Sequence, residues 1–136
     1  MNAAKKLERL IVQMENYLEC WKQFNRFINI ARGKKFNGQD ESQFLEVKCV
    51  LTQELELILS SVQVASPSKE DIHAVIAGAP SLRFLSELNE GALLGVESQW
   101  HRIYIGWHSI LGQLKVRQIE ESSKGFLSGV FGQKSR

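Results

Sequence analysis

A chain of 136 residues, 43% apolar and 24% charged, can bury a core of its own and is too apolar for global disorder. Its formal charge of +2 gives no reason to expect a polyanionic partner. No apolar run is long enough to span a bilayer, and Met1 to Arg9 lack the apolar stretch of a secretory leader.

The dominant pattern is a seven-residue apolar repeat that occurs twice. Leu7, Leu10, Met14, Tyr17, Trp21, Phe24, Ile28 and Ala31 fall at steps of three and four. Leu93, Val96, Trp100, Ile103, Trp107, Ile110 and Leu114 do the same near the other end. Each stripe covers one face of a helix and must be buried. The reading requires Trp21, Trp100 and Trp107 to share one dry interior.

The first helix is expected from about Ala3 to Arg32, with Gly33 as its left-handed C-terminal cap. The connection to Gly38 is short, so the next helix should be an antiparallel neighbour. Asn37 caps that second helix, Asp40 and Glu41 fill its first turn, and Phe44, Val47, Leu51, Leu55, Ile58, Leu59 and Val62 form its stripe. Ser66 and Pro67 read as cap and first residue of a short third helix, with Ile72, Val75 and Ile76 inward and Gly78-Ala79-Pro80 as the stop. Ser81 to Leu85 reads as a further turn or the start of a fourth helix, which is expected from about Ser86 to Glu121. Gly91 and Gly95 lie near its start and suggest close approach to the short helix, with a kink as the alternative. Ser122 to Gly125 reads as a linker, followed by the apolar cluster Phe126, Leu127, Val130 and Phe131 and a basic end.

Charge runs in blocks. Lys5, Lys6, Arg9, Lys22, Arg26, Arg32, Lys34 and Lys35 make the first segment basic. Asp40, Glu41, Glu46, Glu54 and Glu56, then Glu70, Asp71, Glu87, Glu90 and Glu97, make the middle acidic, and the chain is basic again after Trp100. Neighbouring helices of opposite charge in one bundle account for this. A basic surface on the outer two helices, able to hold nucleic acid weakly, is the sharper alternative. Cys20 and Cys49 lie on different helices and read as reduced thiols, with Cys49, on a polar side beside Ser42 and Glu56, the more reactive.

Chemical motifs are sparse. His101 and His108 follow the two seam tryptophans, about 10.5 Å apart along the helix, too far to share one zinc ion. Glu70 and His73 give one Glu-x-x-His pair where a dimetal site needs two. No nucleophile elbow or phosphate-binding loop is present. Arg102 and His108, an arginine followed by a histidine within a helical bundle, form a pattern similar to that of HEPN-type ribonucleases. The resemblance covers two residues, and Ile103 stands where many members carry asparagine. It implies RNA cleavage by Arg102 and His108 at a dimer cleft, because the two point about 120° apart on one helix.

The expected fold is all-α: an antiparallel four-helix bundle over residues 1–121, three helices long and one short, with a flexible tail over 122–136. The expected function is a non-enzymatic, cytoplasmic interaction module, homodimeric, with no cofactor, no metal and no stable membrane insertion. Its partner is itself or another protein, with no small-molecule substrate evident. Phe126, Leu127, Val130 and Phe131 are the candidate partner-binding residues, and Phe27, Ile30, Ile105 and Ile119, off the seams, suggest self-association.

Overall fold

A computed structural model describes residues 2–62 and 66–134, with side chains described as far as residue 125. Five helices follow in chain order: α1 (Ala3–Gly33), α2 (Gly38–Ser61), α3 (Lys69–Ala77), α4 (Leu82–Glu87) and α5 (Glu90–Lys134). Among the described residues there is no strand, and the fold is all-α. No described helix is long and apolar enough to cross a membrane.

Each helix starts where a short polar side chain accepts a backbone N–H three residues on. Asn2 accepts from Lys5, Ser68 from Asp71, Ser81 from Phe84 and Asn89 from Ala92, at 2.8–3.1 Å. At Asn37 the exchange is reciprocal: its Oδ1 accepts from the Asp40 N–H (2.9 Å), and Asp40 accepts from the Asn37 N–H (3.0 Å). Such caps satisfy N–H groups that have no intrahelical partner.

Several boundaries differ from the expected ones. Gly33 remains helical and Lys34 takes the left-handed conformation, φ 59°, while its N–H donates to the Ala31 carbonyl. The third helix is capped by Ser68 rather than Ser66, so buried Pro67 precedes it. Five helices replace the expected four. Leu82 to Glu87 is a helix of its own: Ser81 caps it, and Glu41 on α2 reaches across and accepts the N–H groups of Leu82 (3.1 Å) and Arg83 (2.8 Å) at its start. Asn89 then caps a new start for α5.

α1 is the centre of the fold and packs against α5, α2 and α4. Its contacts fix direction. Glu15, Tyr17, Trp21 and Arg32 meet Lys115, Trp107, Trp100 and Glu90 in turn, so α1 and α5 run oppositely. Phe27 and Phe24 meet Phe44, and Tyr17 meets Leu51, so α2 also opposes α1. Trp21 and Trp107 are fully buried. Trp100 is half-buried and its indole N–H donates to the Trp21 carbonyl at 2.8 Å. Tyr17 stands edge-on to Trp107 with centroids 5.5 Å apart, and its hydroxyl donates to the Leu51 carbonyl at 2.8 Å.

Phe27 is buried against Phe44, not exposed, and Ile30 is half-buried. A helix packed on three sides needs an apolar arc wider than one seam, and these residues widen it. The glycines near the start of α5 have no close neighbour: a Cβ at Gly95 would meet nothing within 4 Å, and one at Gly91 only the Asn89 side chain. Close approach occurs at Gly106 instead, where a Cβ would lie 3.1 Å from the Pro67 ring. Finally, α5 runs helical through Ser122 to Gly125, where the sequence reads as a linker. The side chains of Phe126, Leu127, Val130 and Phe131 lie outside the described residues.

Candidate functional site

The outer face of α5 is the most distinctive surface. With 3.6 residues per turn, burying Leu93, Ile103, Trp107, Ile110 and Leu114 turns Leu94, Ile105, Val116 and Ile119 outward. These four are 52%, 56%, 54% and 67% exposed. Steps of eleven residues, close to three turns, align Leu94, Ile105 and Val116 along one line. The stripe is about 38 Å long. His101 and Gly112 lie within it, both exposed, and a Cβ at Gly112 would meet nothing within 4 Å.

One flank of this face adjoins α1. Trp100 stacks on Tyr104 (centroids 4.7 Å, planes 16° apart), and His108 meets Tyr104 edge-on at 4.6 Å. Spacings of four residues make this ladder. Further along, the half-buried Arg32 of α1 pairs with Glu97 and, at 3.1 Å, with Glu90. Its guanidinium also donates to Asn29 on its own helix. Lys115 approaches Glu15 at 3.7 Å.

The opposite flank adjoins α3. There Arg102, Gln99 and Ile103 line a crevice of about 110 Å³ with Pro67, Asp71 and Val75. Arg102 and His108 therefore sit on opposite flanks of α5, and one chain does not bring them together. His101 is exposed with its ring 6.1 Å from that of Trp100. Glu70 is exposed and His73 half-buried. Among the described residues, no three His, Cys, Asp or Glu side chains converge as metal ligands would.

The aromatic residues of the basic first helix belong to the core: Tyr17, Trp21 and Phe24 are buried. Burial pushes the Tyr17 phenol far above its ordinary range. It also raises the Cys20 thiol, with the Glu54 and Glu19 charges adding to the effect, whereas Cys49 is exposed. Lys48 is shifted the other way, lowered by burial, with its ammonium 3.4 Å from the Pro80 carbonyl.

Two features escape the sequence reading. The Arg32–Glu90–Glu97 cluster joins residues more than fifty positions apart, and no local pattern signals it. The contact between Gly106 and Pro67 is equally non-local. No protein-family model matches the chain, and neither a curated protein nor a solved structure matches it.

Proposed function

We propose that the protein is a non-enzymatic helical assembly module, cytoplasmic, in which two copies pair through the outer face of α5. The long helices α1, α2 and α5 serve as an antiparallel bundle that holds this face rigid. The observation that carries the reading is the straight line of Leu94, Ile105, Val116 and Ile119, each more than half exposed. Apolar side chains aligned on one helix face gain free energy when covered together; here His101 and Gly112 stand between them along the line.

Size sets the expected strength. A strip about 38 Å long and one helix wide has a footprint of about 400 Å², half of what a standard interface uses on each partner. The aromatic ladder on the α1 flank would have to join it. The pairing is therefore expected to be concentration-dependent, and it is tested by light scattering from low to high micromolar protein. Mass should rise toward a dimer, and Ile105→Asp with Ile119→Asp should hold the chain monomeric with its melting temperature unchanged. A wild-type monomer at high micromolar concentration refutes the reading. The tail residues Phe126, Leu127, Val130 and Phe131 are a second candidate contact, tested by deletion from Ser122 onward.

A ribonuclease using Arg102 and His108 rests on the two-residue resemblance alone, and with the pair on opposite flanks of α5 it would require a cleft between two copies.

A further inference from the structure

At the far end of the α1–α5 pair from Arg32, a cleft of about 580 Å³ opens between the first turns of α1, the last turn of α2 and α5. Its walls carry three cations: Lys6 and Arg9, one turn apart on α1, and Arg117 from α5. Leu7 and Leu10, buried and half-buried, form its apolar side. The remaining polar contributors are neutral. Ser61 donates its hydroxyl proton to the Leu57 carbonyl (3.2 Å), so it has no proton left to give.

Two features mark this place. The first is convergence: three cations from two helices, Lys6, Arg9 and Arg117, line one cleft whose lining holds no carboxylate. The second is the helix dipole. The N-terminus of a helix is its positive end and favours acids. α2, α3 and α5 follow that preference with Asp40 and Glu41, with Glu70 and Asp71, and with Glu90. α1 has no acid in its first turn and places Lys5 and Lys6 there. Like charges are thus gathered in a cleft whose own lining holds no carboxylate.

We propose that this cleft binds a phosphate ester whose organic part is apolar. The guanidinium groups of Arg9 and Arg117 would each offer two parallel N–H donors to phosphate oxygens, with Lys6 as a point charge. Leu7 and Leu10 would cover the adjoining carbon chain. The volume suits a small organic ligand. A phospholipid headgroup and a soluble phosphate ester share this chemistry. The inference does not depend on pairing through α5, because every lining residue belongs to one chain.

Titration calorimetry of the full chain at low salt, with inorganic phosphate and with hexyl phosphate, tests it. Hexyl phosphate should bind, and more tightly than inorganic phosphate. Arg9→Gln with Arg117→Gln should weaken it at least about tenfold, since two charge-assisted contacts are lost. Lys22→Gln, a cation paired elsewhere with Glu19, should leave it unchanged. Leu10→Asn should weaken hexyl phosphate and spare inorganic phosphate. All four substitutions are at sites that are not fully buried, and circular dichroism checks that each variant folds. Flotation with vesicles of phosphatidic acid against phosphatidylcholine then separates the sources. Retention on phosphatidic acid that the double arginine variant loses assigns a lipid headgroup. Hexyl phosphate binding without vesicle retention assigns a soluble ester. Absence of binding at low salt, equal affinity in the double variant, or no preference for the hexyl ester overturns the proposal.

Discussion

The two ends of the α1–α5 pair are built in opposite ways. At the Gly33 end, α2 and α4 close over α1, and Phe24, Phe27 and Phe44 fill the space between. Charged groups there meet across helices: Arg32 lies between Glu90 and Glu97, and Glu41 caps α4. At the Ala3 end, α5 continues to Lys134, Leu10 is only half-buried, and three cations face a cleft. The first end is specified by packing and pairing. The second adds only aliphatic residues such as Leu7, Ile11 and Val62 to the core, and its cations lie outside that packing, available for other interactions.

This contrast orders the effects of substitution. Phe44→Ala, at the closed end, should cost about 3–5 kcal/mol, because a fully buried aromatic with two aromatic neighbours leaves a cavity. Urea unfolding would measure it, and a loss below about 1 kcal/mol would erase the distinction between the ends. Arg32→Met should cost about 1–2 kcal/mol, less than a fully buried pair, because both partners remain over a quarter exposed. Adding Glu97→Met should restore part of the loss, and strict additivity in that cycle would show that the pair contributes nothing.

Midway between the ends, Tyr17→Phe should cost about 1 kcal/mol at neutral pH through the lost bond to Leu51. Its pH dependence has a definite sign. The folded phenol titrates above the unfolded one, so above about pH 10 the unfolded chain binds fewer protons and stability falls as pH rises. Lys48, with its lowered value, acts in the opposite sense just below its ordinary range, but it is common to both proteins. The wild type should therefore lose more stability than Tyr17→Phe between pH 9 and pH 11. Equal losses would mean that Tyr17 does not control this limb. The smallest effect is expected at the open end, where Arg9→Gln should change stability by less than about 0.5 kcal/mol.

The parts legible in the sequence are those whose cause is local. Apolar residues at steps of three and four gave the buried stripes of α1, α2 and α5, and Asn37 with Asp40 gave a cap that forms as read. What failed was mostly non-local. Glu41 reaches from α2 to the start of α4. The break between α4 and α5 is the exception: Asn89 caps α5 with Glu90 in its first turn, a local signal of the kind seen at Asn37. Phe27 falls off the single seam read in the sequence, yet it is buried because α1 touches three helices. Gly91 and Gly95 drew attention by spacing, while the glycine in close contact is Gly106. For the candidate site, Ile105 and Ile119 stood out as residues off the seam. The Lys6, Arg9 and Arg117 cleft joins residues over a hundred positions apart and becomes visible only once α1 and α5 are aligned.

The contact between Gly106 and Pro67 carries an evolutionary consequence. Position 106 has no side chain because a proline ring 39 positions earlier occupies that volume. In descendants of this sequence the two sites should drift together: alanine at 106 asks the Pro67 ring to give by a few tenths of an ångström, and a larger residue becomes tolerable only after 67 has shrunk or moved. A lineage that kept Pro67 while acquiring a bulky residue at 106 would need another way to seat the segment ahead of α3.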